Sequence, residues 1–88
     1  MVRAAEAALA EAALEARAKA ALLMLVPIVA LRIDVDVERG VLYLRGIVVH
    51  PVQRRRAEEV VRSLHLPGVH RIANRLVVRP DVPFLPGP

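Results

Sequence analysis

Apolar and polar residues alternate strictly over positions 33–48, IDVDVERGVLYLRGIV. Ile33, Val35 and Val37 alternate with Arg32, Asp34, Asp36 and Glu38, the period of a strand with one buried face. Arg39-Gly40 reads as a two-residue hairpin turn, because Gly40 can supply the positive φ that such a turn needs. The register then follows. Glu38 pairs with Val41, Val37 faces Leu42, Val35 faces Leu44, Ile33 faces Gly46 and Leu31 faces Val48. On the other face Asp36 meets Tyr43 and Asp34 meets Arg45. A slip of one residue would break both sets of matches. Asp34–Arg45 is expected to be an exposed cross-strand pair contributing roughly 0.2–1 kcal/mol. Gly46, inside the second strand, marks a bulge or the close approach of a helix backbone.

Alanine dominates the stretch before the hairpin, and alanine is the best helix former. A long helix is predicted from Val2 to about Leu25. It carries two apolar stripes: Val2, Ala5, Leu9, Ala12, Ala16, Ala20 and Leu23 on one side, and Ala7, Leu14, Ala18, Ala21 and Leu25 roughly opposite. One core needs one stripe. The helix should run about 35 Å against a strand length of about 25 Å, so its N-terminal half should overhang the sheet. Pro27 ends it or closely follows its end. The expectation is that one stripe packs on the sheet and the other, through Ala7, Leu14, Ala18, Ala21 and Leu25, meets a second copy.

After the hairpin, His50-Pro51 opens a second helix, with proline at the first helical position and His50 as a poor cap. Val52, Ala57, Val60, Val61 and Leu64 form its inward face, and Leu66-Pro67-Gly68 ends it. Residues 71–79 alternate again: Ile72, Asn74, Leu76 and Val78 against Arg71, Ala73, Arg75, Val77 and Arg79. The proline-rich residues 80–88 should be extended. The fold class is α+β: an α-β-β-α-β two-layer sandwich, with both helices on one face of a three-stranded mixed sheet. A right-handed crossover makes the second and third strands parallel.

Length and composition narrow the function more than they define it. A chain of 88 residues is one domain with one modest core. Cysteine is absent, which removes disulfides, thiolate metal sites and thiol chemistry. The formal charge is +4, and Lys19 is the only lysine among the basic residues. The scarcity of amides and the proline-rich tail are compatible with a thermophile. The apolar run at 20–31 is too short for a bilayer, which takes about 20 residues. Glu6, Glu11 and Glu15 precede it, against a signal-peptide core. It reads as a helix end and a following segment, both buried, and on this ground the cytoplasm is the expected compartment.

The pattern IDVDVERGVLYLRGIV, then RRRAEEVVRSL, then PGVHRIANRLVV resembles the BON domain, the bacterial osmotically-inducible-protein and nodulation module. Gly40, Leu42, Leu44, Gly46, Gly68, Val69, Ile72, Asn74, Leu76 and Val78 carry the match over about residues 20–79. This divides the chain into a helical extension at 1–19, the domain at 20–79 and the tail at 80–88. Arg39 departs from the usual acidic residue before the glycine, and the first helix is longer than usual. The resemblance implies a non-enzymatic module of cell-envelope proteins, associated with phospholipid or membrane surfaces, with no catalytic residue and no cofactor. Asn74 reads as structural, since a buried amide must find hydrogen bonds.

Three candidate surfaces remain. Arg54-Arg55-Arg56 sits at the start of the second helix, where free N–H groups favour an anion. Against this, Arg54–Glu58, Arg55–Glu59 and Arg62–Glu58 are spaced to neutralise one another. The open sheet face carries Arg45, Arg71 and Arg75 with Arg32 and Arg79, against Asp34 and Asp36, and has Tyr43 near its middle. Single-stranded nucleic acid would need several stacking aromatics there, which leaves an ordinary exposed face, a partner protein or a membrane; an anionic phospholipid or membrane surface is the partner that the resemblance implies. The long first helix is the third surface, for a homo-oligomer or another protein. His50, His65 and His70 lack metal-ligand spacing, and the lone Ser63 lies within a helix whose neighbours are spaced to form ion pairs, against nucleophilic catalysis.

Overall fold

The alternation over 33–48 folds into a hairpin in the expected register. A computed structural model describes residues 2–25 and 32–80. In it β1 (Ile33–Glu38) and β2 (Val41–Val48) pair antiparallel, with Ile33 opposite Gly46, Val35 opposite Leu44 and Glu38 opposite Val41. Arg39 has φ 52° and Gly40 φ 79°. Positive φ at both central residues is the type I′ turn, whose twist matches that of the strands it joins. A Glu11 carboxylate oxygen accepts the Arg39 backbone N–H at 3.0 Å, tying the turn to the first helix. Pro27, Leu31 with its expected pairing to Val48, and the tail beyond Pro80 lie outside the described residues.

Helix α1 (Val2–Leu25), helix α2 (Pro51–Ser63) and strand β3 (Arg71–Val78) complete the order α-β-β-α-β. The sheet order is β1-β2-β3, with β3 parallel to β2. Helix α1 lies over β1 and α2 over β3. The result is an α+β two-layer sandwich whose other sheet face is open. The core takes Ile33, Val37, Leu42, Leu44, Val48 and Leu76 from the sheet, Ala18 and Leu22 from α1, and Ala57, Val60 and Val61 from α2.

The two stripes of α1 are used in the opposite sense to the one expected. Ala18 is fully buried, and Leu14 and Ala21 pack on the core beside Leu22, so these positions face the sheet and not a second copy. Leu14 and Leu22 give this side the larger aliphatic area over the sheet, whereas Leu9 of the other stripe falls in the overhang. Residues 5–10, Ala7 included, are exposed, and burial begins only at Glu11. The Leu25 side chain lies outside the description. The helix runs unbroken through residue 20, and Leu14 and Ala18 of the 1–19 segment are part of the packing.

Three local expectations are corrected. Gly46 marks no bulge: it is the terminal pair of the β1 ladder, the β3 ladder is continuous past it, and its close neighbour is the Arg32 carbonyl, not a helix. His50 is an effective cap. Its Nδ1 accepts the Val52 N–H at 3.1 Å, while Gln53 Oε1 accepts the His50 N–H at 3.1 Å and the Val49 N–H at 2.9 Å, a capping box made with unusual residues. Val52 is half exposed, because the cap turns this first-turn residue outward. Among the described residues, no helix is long and apolar enough to cross a membrane.

Candidate functional site

Alternation sends Tyr43, Arg45 and Ile47 of β2 to the open face, and with them Arg71, Ala73, Arg75 and Val77 of β3. The parallel register sets Arg45 beside Arg75 and Ile47 beside Val77. Ile47 is 37 % exposed and Val77 51 %, a pair of aliphatic side chains on the surface next to a pair of arginines. On β1 the same face carries Asp34 and Asp36, both exposed. The face is therefore polarised, acidic along β1 and basic along β3.

Arg45 is opposite Asp34 in the ladder, yet its guanidinium bonds Asp36 diagonally at 3.2 Å, with side chains 49 % and 54 % exposed. This corrects the expected Asp34–Arg45 pair. A surface pair of this kind contributes at most about 1 kcal/mol. The same guanidinium lies 4.8 Å from the Tyr43 ring centroid, and that of Arg75 lies 5.3 Å from it. Both contacts are within cation–π range. Among the described residues, the one Tyr or Phe ring of the face is already engaged, which leaves little free stacking surface for a nucleotide base.

The arginine cluster of α2 disperses. Arg54 does not pair with Glu58; it turns to the outer edge of β3. Its Nε donates to the Leu76 carbonyl at 3.1 Å and its terminal nitrogen to the Asn74 carbonyl at 3.0 Å. Asn74 closes the bracket: its Nδ2 donates to the Arg54 carbonyl at 3.0 Å, and its Oδ1 accepts the Leu76 N–H at 3.2 Å. The strand-edge carbonyls are held in place by the sheet, and their bonds to a cation are stronger than neutral ones. Lys19 treats the far edge alike, donating from Nζ to the Ile33 carbonyl. Arg55 and Arg56 are exposed on the helix layer, away from the open face. Of the two arginine surfaces expected, Arg45, Arg71 and Arg75 lie on the sheet face, while on α2 Arg55 and Arg56 are exposed and Arg54 is in structural use.

Glu58 bonds Arg62 at 2.7 Å. That bond, aided by Asn74 and the charges of Arg62 and Arg54, holds its carboxyl below the usual glutamate range; partial burial opposes the shift. A carboxyl with a lowered folded-state pKa contributes stability above its unfolded pKa and loses it as pH falls through the folded value. Acid unfolding followed by circular dichroism should therefore be less steep in Glu58→Gln across the carboxylate range. An unchanged acid limb would show that this ion pair contributes nothing to stability.

A depression of about 170 Å³ lies where α2 ends and β3 begins, with Arg62, His65, His70 and Arg71 around an apolar floor that includes Val61 and Ile72. Sequence spacing gave no hint of this grouping. Among the described residues, no cluster of three or more His, Asp or Glu could hold a metal ion.

A family model described as BON domain matches residues 10–80. No curated protein matches the chain at a significant level.

Proposed function

The chain belongs to the BON domain family, and from that premise we propose that it is a non-enzymatic module attaching to anionic phospholipid at a membrane surface through the open sheet face. The observation that carries this reading is the adjacency of exposed Ile47 and Val77 to Arg45 and Arg75 in one register. A bilayer surface asks for that combination. Aliphatic groups enter the interface, while cations remain at the level of the phosphates. Each arginine near an anionic surface contributes about 1 kcal/mol, and each half-exposed aliphatic side chain somewhat less than the roughly 1.5–3 kcal/mol of full burial. The sum describes reversible, salt-sensitive attachment. Asp34 and Asp36 repel the same surface, so the domain tilts with β3 toward the lipid and β1 away.

Sedimentation with phosphatidylcholine vesicles, with and without phosphatidylglycerol, tests this reading. The chain should sediment with the anionic vesicles at low salt and be released at high salt. The triple change Ile47→Ser, Arg75→Gln, Val77→Ser should weaken binding about tenfold or more, while Arg55→Gln with Arg56→Gln should leave it nearly unchanged. The reverse pattern, or no binding at low salt, would overturn it.

A further inference from the structure

The side of α1 turned away from the sheet carries Ala5, Leu9, Ala12, Ala16, Ala20 and Leu23. Positions three and four apart share a helix face, and this one lies opposite buried Ala18 and Leu22. All six are exposed, with Leu9 at 72 %, and Met24 at their margin is 82 % exposed. A surface helix ordinarily carries polar residues on its outer side. Here the outer strip has no charge along its length, and its N-terminal part projects beyond the sheet. Contiguous exposed apolar surface of this extent marks an interaction site.

Charge at the strip's margins says what covers it. Glu6 and Arg17 are both exposed and sit on the same flank, about three turns apart. When two identical helices pack antiparallel about a twofold axis, like flanks meet. Glu6 of one copy then falls beside Arg17 of the other, and the pairing repeats by symmetry. Parallel packing about a twofold axis would bring unlike flanks together, so Glu6 of one copy would not meet Arg17 of the other. The antiparallel alignment also seats Leu9 against Ala16 and Ala5 against Ala20, large against small or small against small, with the axis near Ala12. Each projecting N-terminal segment then lies along the sheet-supported part of the other helix. A membrane fits this strip less well, because Glu6 and Glu15 balance Arg17 and Lys19 and leave no excess of positive charge to meet anionic lipid.

We infer that the chain self-associates as an antiparallel dimer through the Ala5–Leu9–Ala12–Ala16–Ala20 side of α1.

The chain has no cysteine, so one introduced thiol reports on the alignment. Ala12→Cys in the full chain should oxidise to a covalent dimer. Ala5→Cys should not, whereas parallel packing would cross-link it. Sedimentation velocity over a range of concentrations should show self-association. Ala16→Glu should weaken it about tenfold or more, by burying an unpaired carboxylate. Glu6→Arg should also weaken it, and Glu6→Arg with Arg17→Glu should restore it. These positions are exposed in the single chain, so circular dichroism should show an unchanged fold. A monomer at every concentration, cross-linking at Ala5 in place of Ala12, or failure of the double exchange to restore association would each overturn the inference. So would a monomer whose vesicle binding is lost in Ala16→Glu, which would assign the strip to lipid.

Discussion

Gly46→Ala is expected to lower the free energy of unfolding by about 3 kcal/mol or more. Two costs combine. The residue sits at φ 137°, in a region that side-chain-bearing residues rarely adopt. A methyl group there would also lie 2.0 Å from the Arg32 carbonyl oxygen and 3.3 Å from the Ile33 Cα. Both neighbours are backbone, so neither can rotate away, and β2 is the central strand whose displacement would disturb both ladders. Gly68 provides the comparison: its φ is 85°, and a methyl group there meets nothing within 4 Å. Gly68→Ala should therefore cost only the backbone strain, about 1 kcal/mol. Urea unfolding of the two variants separates the terms. Equal losses would show that the Arg32 contact relaxes freely.

The second large effect lies in the bracket between α2 and β3. Asn74→Ala removes two hydrogen bonds and strands the Leu76 N–H, an expected loss of about 2 kcal/mol. Arg54→Ala removes two charge-assisted bonds and should cost a similar amount. Together they should cost less than the sum, because each holds the other in place. Strict additivity in a double-mutant cycle would refute that coupling. Both variants also uncover outward-facing groups of β3, an edge strand. Unpaired edges recruit other strands, so concentration-dependent aggregation should accompany the lost stability.

Much of this fold was legible in the pattern, for reasons that differ from element to element. The hairpin register was readable because a period of two and a two-residue turn allow one alignment that satisfies both faces. The turn's second positive φ, at Arg39, was not, since arginine carries no such preference. The stripes of α1 were visible, but which one faces the sheet depends on where Leu14 and Leu22 meet strands distant in sequence. His50 escaped notice as a cap because capping preferences favour Ser, Thr, Asp and Asn; Gln53, three residues on, was the signal that could have revealed it. Register identifies Arg45 and Asp34 as neighbours without choosing a rotamer, and the side chain went diagonally to Asp36. The Glu58 spacing suggested a partner for Arg54, whereas the competing carbonyls of β3 appear only once the crossover is folded. Ile47 and Val77 could be placed on one face from alternation. Their adjacency required the parallel alignment of β3, which periodicity leaves open.

Tyr43 has one more consequence. It is the only tyrosine, and tryptophan is absent, so the phenol emission of the chain arises from a single ring contacted by two guanidinium groups on the open face. The molecule thereby carries an intrinsic optical reporter at the surface assigned to lipid, and events there can be followed spectroscopically without a label.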